Sequence, residues 1–400
     1  MKIQVPEAAG RIIEQLNTHG FEAYVVGGCV RDSLLFRTPE DWDITTSAKP
    51  EQVKEIFSRT VDTGIQHGTV TVLMDGGTYE VTTYRIDGEY EDGRHPKSVE
   101  FTGNLTEDLK RRDFTINAMA YSDREGLVDA FHGRQDLEEK IIRCVGNAKD
   151  RFMEDALRIL RAIRFSAQLG FEIEEETKMA IRGIAPNMAK VSKERIQVEL
   201  NKLLLSDHPQ RIRAVYDNGI APYISEHFHA AGRRMGETGT LKLLPAQKHM
   251  RWSGFLRYEK PEEAVLILRD LKMDNETISH VKTLVTLWKQ EIPADKPVIR
   301  KVMSGLSPEL FKDLLCFKKV FCRESCQETL KQVERYAEEI IKDGDCIRLK
   351  DMAVSGRELI EAGRKPGPGI GAVLDVLFEE VLKNPECNKR EYLMNLAEKL

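Results

Sequence analysis

The sequence predicts an α+β protein in which a small mixed-sheet head is followed by an all-helical neck, body and tail. Short β-rich apolar runs separated by glycine turns occur up to Val145, whereas apolar residues recur at helical spacing from Asp150 onward. The chain has 400 residues, 41% of them hydrophobic, which is enough for more than one domain. We expect the head at 1–146, the neck at 147–210, the body at 211–295 and the tail at 296–400.

The composition narrows the classes of function. A net charge of −5 excludes a globally basic nucleic-acid coat, so nucleic acid would have to contact local Lys/Arg patches. No stretch has the length and apolarity of a signal peptide or a membrane span, which predicts no membrane partner. Seven scattered cysteines indicate reduced thiols and a cytoplasmic protein, and the group at 316, 322 and 326 fits no usual zinc spacing. Nothing in the sequence specifies an oligomeric state.

The first element with chemical meaning is a strand that ends in a glycine pair. Ala23 to Val26 is an apolar run typical of a buried strand, Gly27 and Gly28 interrupt it, and a helix is predicted to follow. Backbone N–H groups point outward at such a helix start, and the missing side chains let a phosphate approach. The turn therefore predicts an anion site at Gly28.

Two carboxylates follow this turn closely. Asp41 and Asp43 are two residues apart, so on a strand they would project from the same face. Carboxylates beside a phosphate-binding turn favour a Mg²⁺ site, because the metal accepts hard oxygen ligands and phosphate oxygens together. A glycine pair alone is typical of any turn, and Asp-x-Asp alone is typical of a solvated strand end. Together, at this spacing, they predict nucleotidyl transfer.

The rest of the head contains a hairpin and a long loop. Runs at 70–74 and 79–84 are predicted as strands joined by Asp75-Gly76-Gly77. Glu80, in the second strand, is either a third metal carboxylate or a solvated residue. The charged, glycine-bearing segment at 87–96, which includes Arg94, predicts a mobile loop. It is either a plain surface connection or a part of the site.

Two arginine-rich segments come next. Arg111, Arg112 and Asp113 follow an apolar helix end, and an amphipathic helix is predicted over 154–165. On that helix Asp155 and Arg158 are neighbours on one face. Arg161 and Arg164 extend the row. A solvated i,i+3 ion pair is the alternative interpretation of Asp155 and Arg158.

These motifs together resemble those of a known family. Gly27-Gly28-x-x-Arg31-Asp32 with Asp41-x-Asp43 resembles the polymerase-beta nucleotidyltransferase superfamily. Arg111-Arg112-Asp113 and Glu154-Asp155-x-x-Arg158 narrow the resemblance to bacterial class II tRNA nucleotidyltransferases, the CCA-adding enzymes, and to their relatives the bacterial poly(A) polymerases. The resemblance covers most of the chain and weakens toward the C-terminus.

The resemblance implies a role for each motif. It makes 1–146 a nucleotidyltransferase head, with Asp41 and Asp43 as catalytic Mg²⁺ ligands. Nucleotide contacts are implied for the arginines and glycine of the motifs and for the Asp155–Arg158 pair that selects the base: Gly28, Arg31, Arg112, Asp155, Arg158, Arg161 and Arg164. Arg94 is a candidate for a loop switch. The basic, glycine- and proline-rich element with Arg357, Arg364 and Lys365 is either a tRNA contact in the tail or an inter-helix loop.

Base selection by such a pair follows from hydrogen bonding. Cytosine and adenine each present an exocyclic amine beside a ring nitrogen acceptor, which complements a carboxylate beside a guanidinium. Uracil and guanine present a carbonyl and a ring N–H instead, and each buried group left unpaired costs about 1–3 kcal/mol. A protein without a nucleic-acid template can therefore accept C and A and reject U and G.

The implied activity is addition of CCA to the 3′ end of tRNA from CTP and ATP, with release of pyrophosphate. The partners would be tRNA, bound at its 3′ end and elbow, and the two nucleotides. A CC-adding or A-adding partial enzyme and a poly(A) polymerase on the same scaffold remain alternatives. A non-catalytic tRNA-binding protein is the alternative from another class, although both carboxylates are present.

Overall fold

The fold was obtained as a computed structural model that describes residues 2–88 and 98–400. Its contacts divide the chain into two compact units, Met1–Lys242 with Ile267–Met273 and Leu243–Leu266 with Asp274–Leu400. A mixed sheet precedes a long run of helices, which confirms the predicted fold class. The finer division at 147, 211 and 296 stays a prediction.

The head is built on a seven-stranded sheet. The described part of the chain contains eleven strands, seven of them in this sheet: β1 (Ala23–Val26), β2 (Ile44–Thr46), β3 (Thr60–Gly64), β4 (Thr69–Met74), β5 (Gly77–Thr83), β6 (Arg85–Asp87), β7 (Val99–Phe101), β8 (Ala120–Ser122), β9 (Gly126–Val128), β10 (Ile141–Ile142) and β11 (Glu172–Ile173). The sheet order is β3-β4-β5-β2-β1-β8-β9, with β2 and β5 parallel and the other pairs antiparallel. Outside this sheet, β6 pairs with β7 and β10 with β11.

Helices alternate with these strands in the first part of the chain and follow one another in the rest of it. They are α1 (Glu7–Thr18), α2 (Gly28–Leu34), α3 (Pro50–Ile56), α4 (Leu105–Lys110), α5 (Gly133–Glu139), α6 (Ala148–Glu154), α7 (Leu157–Leu169), α8 (Glu175–Ile184), α9 (Lys193–Leu204), α10 (Arg213–Asp217), α11 (Ala221–Ile224), α12 (Glu226–Ala231), α13 (Lys248–Leu256), α14 (Pro261–Asp270), α15 (Asn275–Leu287), α16 (Lys296–Ser304), α17 (Pro308–Phe321), α18 (Gln327–Lys342), α19 (Gly356–Glu361), α20 (Pro368–Lys383) and α21 (Arg390–Ala397). Beyond residue 150, where every residue is described, β11 is the one strand. Among the described helices, none has the length and apolarity needed to cross a membrane.

Strand β1 sets the position of the glycine turn. All four of its residues are buried, and it lies between β2 and β8 near the middle of the sheet. Gly27 follows with φ of 80°, in the left-handed region, and a Cβ added there would lie 2.9 Å from Nη1 of Arg112. The turn therefore needs glycine for its backbone conformation and for the approach of an arginine.

The predicted single helix over 154–165 is wrong at its start. Helix α6 ends at Glu154 and α7 begins at Leu157, with Asp155 between them in an extended conformation (φ −145°, ψ 103°). Oδ1 of Asp155 accepts a hydrogen bond from the Leu157 backbone N–H at 3.0 Å. A short acidic side chain can bond nearby backbone in this way, which favours a helix start over a helix interior. Leu157, Leu160 and Ile163 are buried, so α7 is amphipathic as predicted.

Seven residues late in the chain belong to the first unit. Ile267–Met273 includes the end of α14 and the turn after it. Nε2 of Gln197, on α9, donates to the Lys272 carbonyl at 3.0 Å and lies 3.1 Å from the sulfur of Met273.

The second unit is helical and has its own apolar cores. One core contains Leu284, Leu314 and Phe317, and another contains Leu359, Leu377 and Leu393. Cys316, Cys322 and Cys326 are free thiols, as are the other four cysteines.

Candidate active site

A cleft in the first unit brings together the predicted turn, both carboxylates and two of the arginines. Its volume is about 440 Å³. The lining residues are Gly28, Cys29, Arg31, Asp32, Arg37, Thr38, Glu40, Asp41, Asp43, Arg164, Gln168, Leu169, Lys202, Leu205 and Ser206. The cleft is thus rich in both basic and acidic side chains.

The two carboxylates lie at the entrance to β2. Asp41 and Asp43 precede this strand instead of lying within it, and the Val26 N–H donates to the Asp43 carbonyl at 3.0 Å. The parallel register pairs Ile44 with Val81, so Glu80 lies beside Asp43. Glu80 is therefore a neighbour of the site, while its side chain is exposed and does not join Asp41 and Asp43 in a three-ligand metal group among the described residues.

The electrostatics of Asp43 fit a cation. The carboxylate keeps contact with solvent, but the surrounding protein removes part of its hydration, and this burial raises its pKa. Glu80 and Asp41 raise the pKa further by like-charge repulsion, while Arg112 opposes the rise. Hard oxygen donors that repel one another are suited to a divalent metal. In the described part of the chain no three His, Cys, Asp or Glu side chains form a group that could hold a metal ion.

Arg111 and Arg112 have different surroundings. Arg111 donates to the fully buried Asp108 at 2.8 Å and is held within the head. Arg112 approaches Gly27, lies 3.6 Å from Asp108 and has a buried Nε without a hydrogen-bond partner among the described residues. Arg112 is therefore the better candidate for an anion contact.

A chain of hydrogen bonds joins α2 to α7 through the head. Nη1 of Arg31 donates to Oδ1 of Asn117 at 2.7 Å, and Nδ2 of Asn117 donates to Oδ1 of Asp113 at 3.1 Å. Oδ2 of Asp113 lies 2.6 Å from Nη2 of Arg161. Burial alone would raise the pKa of Asp113, but Arg161 and the Asn117 hydrogen bond outweigh it and hold that pKa well below its ordinary value.

Arg164 is buried beside the cleft. Its Nε lies 2.5 Å from Oε2 of Glu199, on α9, and its guanidinium lies 3.8 Å from the centroid of the Phe165 ring. Arg161 is within 3.9 Å of the same glutamate. Both arginines are already paired, so their positions are fixed by the surrounding protein.

The two residues predicted to select the base do not pair with each other. Oδ2 of Asp155 lies 2.6 Å from Nη2 of Arg195, on α9. Nη1 of Arg158 lies 2.6 Å from Oε2 of Glu154, and its Nη2 donates to the Arg111 carbonyl at 3.0 Å. Sequence reasoning missed Arg195 because nothing in the linear pattern connects it to an aspartate forty residues earlier. The available signal was a basic residue three positions after Ser192, a residue type that often precedes the first turn of a helix.

Comparison with known proteins decides the family. The family model for the Poly A polymerase head domain matches residues 23–143, the RNA and SrmB-binding site of polymerase A matches 170–232, and tRNA nucleotidyltransferase domain 2 matches 246–397. The CCA-adding enzyme of Enterococcus faecalis is 38% identical over 403 residues, 98% of this chain and 95% of the relative. The chain belongs to the CCA-adding enzyme family.

Other members of the CCA-adding family also match nearly the whole length of this chain. The enzyme of Geobacillus kaustophilus is 36% identical over 405 residues, 98% of this chain and 96% of the relative. The crystal structure of the Bacillus stearothermophilus enzyme in complex with CTP has a TM-score of 0.82 and 31% identity, and covers 99% of both chains. The resemblance inferred from the motifs is confirmed over nearly the whole chain.

Seven described residues of the predicted site are not part of the cleft lining: Arg112, Asp155, Arg158 and Arg161 in the first unit, and Arg357, Arg364 and Lys365 in the second. Arg94 falls outside the described residues. Arg357, Arg364 and Lys365 belong to the second unit, at α19 and the turn before α20. Arg357 is exposed and donates to Glu361 at 2.9 Å, Arg364 donates to the Ala397 carbonyl, and Lys365 is exposed.

Proposed function

We propose that this CCA-adding family member adds C, C and A in turn to the 3′ end of tRNA, using CTP and ATP and releasing pyrophosphate. Full-length identity of 36–38% to curated CCA-adding enzymes supports this activity. The observation that carries the proposal is the cleft in which the glycine turn, Arg31, Asp41 and Asp43 meet. It offers a phosphate site and carboxylates side by side, as attack of a 3′-hydroxyl on an α-phosphate requires.

The carboxylates would hold magnesium. Asp41 and Asp43, with Glu80 nearby, fit a divalent ion by donor type and by mutual repulsion. When bound, Mg²⁺ lowers the pKa of a coordinated hydroxyl and neutralises a departing pyrophosphate. Phosphate oxygens of the nucleotide would supply ligands that the described side chains lack. No covalent nucleophile is needed.

The triphosphate would lie along the glycine turn. The backbone at Gly28 and the side chains of Arg31 and Arg112 would form its first contacts, since the buried Nε of Arg112 has no hydrogen-bond partner among the residues that the structure describes. Arg161 and Arg164 act more indirectly, because Asp113 and Glu199 already hold them. They fix the wall of the cleft and contribute positive charge.

Base selection falls to Asp155 and Arg158. Each Asp155 oxygen makes one hydrogen bond within the protein and can accept another, so the carboxylate can receive an exocyclic amine while Arg195 holds it. Glu154 fixes the guanidinium of Arg158 in the same way. Two separately anchored side chains would form the template for cytosine and adenine.

The remaining proposals concern the residues that contact tRNA and the cellular compartment of the protein. Arg357, Arg364 and Lys365 would contact tRNA phosphates away from the 3′ end, and the loop with Arg94 would adjust the pocket between the second C and the A. We place the protein in the cytoplasm, where its seven free thiols would stay reduced.

One experiment tests the activity directly. The protein is incubated with Mg²⁺ and tRNA that lacks CCA, with each nucleotide alone and with CTP and ATP together, and the products are sequenced. The expected product ends in CCA, with C added from CTP alone and no extension by UTP or GTP. Products that stop at CC, gain only A, or carry long A tracts would assign a partial enzyme or a poly(A) polymerase. Binding of tRNA without incorporation would assign a non-catalytic protein.

A further inference from the structure

Phe36 occupies an unusual backbone position at the end of α2. Its φ is 57°, in the left-handed region, and it is the one apolar residue among the non-glycine residues with positive φ in the described part of the chain. The Arg37 N–H bonds to the Asp32 carbonyl at 2.8 Å, and the Phe36 N–H bonds to the Ser33 carbonyl at 3.1 Å. These bonds form a Schellman motif, in which the position of Phe36 is usually glycine because a Cβ is strained there.

Packing does not compensate for this strain. Phe36 is 89% exposed, the highest value among the exposed large hydrophobic side chains, the next being Leu243 at 59%. A glycine would hold the same turn with less strain, and a polar residue would be better solvated. Neither the helix end nor the core therefore explains an aromatic side chain at this position.

The surroundings of Phe36 indicate what it could contact. The next residue, Arg37, lines the active-site cleft, as do Thr38, Asp41 and Asp43. Nη1 of Arg37 donates to the Gln168 carbonyl at the end of α7 at 3.1 Å, which holds the turn in place. An aromatic ring is thus exposed in a hydrogen-bonded turn, beside a basic side chain and a few residues before Asp41 and Asp43.

Proteins bind single-stranded nucleic acids with aromatic rings that stack on the bases and basic groups that contact the phosphates. Phe36 and Arg37 provide this combination. Lys202 and Arg31 add positive charge along the same cleft. The proposed reaction places a tRNA 3′-hydroxyl at Asp41 and Asp43, so the unpaired nucleotides behind it must leave the cleft over an adjoining surface. The turn that carries Phe36 adjoins the cleft directly.

We propose that Phe36 is a stacking platform for an unpaired base near the 3′ end of the tRNA. The inference rests on the proposed function and adds a primer contact to it. The ring would hold the single strand while the arginines and carboxylates act on the incoming nucleotide. Phe36 is a binding residue for the tRNA and has no part in base selection or metal binding.

Three variants at this position separate stacking from backbone effects. Phe36→Tyr keeps a ring, Phe36→Leu keeps an apolar side chain in the same strained conformation without a π-face, and Phe36→Gly removes both ring and strain. The assay measures KM for tRNA and for CTP with tRNA lacking CCA. The quenching of a 2-aminopurine placed near the tRNA 3′ end reports stacking directly.

We expect Tyr to behave as the parent, and Leu and Gly to raise KM for tRNA about 5- to 100-fold with KM for CTP unchanged. The quenching should be lost in the same two variants. Phe36→Gly should also raise the melting temperature by about 1–3 °C, because the left-handed strain is removed. Weaker tRNA binding by a more stable protein would exclude a folding defect.

Equal KM for tRNA and equal quenching in the parent and in Phe36→Gly would overturn the proposal. A change in molecular mass in solution on Phe36→Gly, with tRNA binding unaltered, would overturn it in favour of a contact between copies of the chain. A parent that binds tRNA but never incorporates nucleotide would refute the proposed function instead, and the quenching measurement would still test Phe36.

Discussion

The Asp155 carboxylate lies 2.6 Å from the guanidinium of Arg195, while the neighbouring Arg158 is held by Glu154. The two groups proposed to read the base are therefore each anchored by a different residue. Arg195 lies on α9, forty residues beyond Asp155, so the geometry of selection depends on the packing of α9 against the start of α7. Substitution of Arg195 or Glu154 should therefore reduce discrimination between nucleotides, as substitution of Asp155 or Arg158 does.

We predict that Asp155→Ala and Arg158→Ala let UTP or GTP compete with CTP and ATP. The ratio of kcat/KM between right and wrong nucleotides should fall about 5- to 100-fold, as expected when a buried hydrogen-bonding group loses its partner. Arg195→Gln should lower the ratio in the same direction, because it releases the Asp155 carboxylate. The measurement is single-nucleotide extension of tRNA with each NTP.

The matched control is Glu194→Gln, on the exposed side of the same turn of α9. It should leave discrimination unchanged. A uniform loss of rate for all four nucleotides, with selectivity preserved, would make Asp155 and Arg158 structural residues only.

We predict that Asp43→Asn lowers incorporation roughly 100-fold or more without unfolding the protein, because a metal ligand is lost. In metal-free buffer the same variant should melt at a higher temperature than the parent at pH 7. The pKa of Asp43 is raised in the folded protein, so the folded state binds its proton more tightly and ionised Asp43 costs stability. Asn removes that cost.

The sign of this effect fixes its pH dependence. The stabilising difference should shrink as pH falls through the raised pKa and vanish below the ordinary value of about 4. Added Mg²⁺ should stabilise the parent and not Asp43→Asn. Glu55→Gln serves as the control, because it removes one negative charge at an exposed position, as Asp43→Asn removes one at the site. Substantial Mg²⁺-dependent activity in a folded Asp43→Asn preparation would remove the metal assignment.

Shortening the loop between β6 and β7 should impair addition of A far more than addition of the two Cs. The strands themselves pair in fixed register, with Asp87 opposite Val99, so deletion within 90–95 leaves the ribbon unchanged. Adenine is larger than cytosine, and a segment that adjusts the pocket is needed between the two. Products resolved at single-nucleotide length should accumulate at CC, with A addition slowed roughly tenfold more than C addition.

Two further variants complement the loop deletion. A Gly-Ser replacement of equal length separates loop length from composition, and Arg94→Ala tests the single side chain proposed as the switch. Proportional loss of all three additions would reduce the loop to a general packing element.

Lys365→Gln in the tail should weaken tRNA binding equally for all tRNAs. If Lys365 contacts one phosphate, the slope of log affinity against log salt should fall by about 0.9 for a duplex contact. Lys342→Gln, an exposed lysine in the same unit, is the control. Arg364→Gln is less clean, because that side chain also bonds the Ala397 carbonyl. An unchanged salt slope would leave this element as an inter-helix loop.

Features set by adjacent residues were predictable from the sequence. The bounds predicted for the first strand match β1. A short apolar run that is followed by two glycines is typical of a buried strand that ends in a turn. The hairpin joined at Asp75 and Gly76 is also observed, and both residues have positive φ as a tight turn requires. Asp41 and Asp43 reach the same cleft as Gly28 because a short segment connects them.

Features set by distant contacts were not predictable. Glu80 reaches Asp43 only because β2 and β5 are parallel neighbours, which no local pattern specifies. The helix break at Asp155 depends partly on such a contact, because Arg195 on another helix bonds one carboxylate oxygen while the nearby Leu157 N–H bonds the other. Helical periodicity continues through that break, so the pattern alone predicts one helix.

Because Ile267–Met273 belong to the first unit, they determine where a fragment that contains this unit should end. During synthesis the first unit is still incomplete when residue 242 has been added, since its last residues, Ile267–Met273, follow 25 to 31 codons later. A fragment ending at Lys242 would lack both the carbonyl and the thioether that Gln197 contacts. Gene fragments meant to separate catalysis from tRNA binding should therefore extend through Met273.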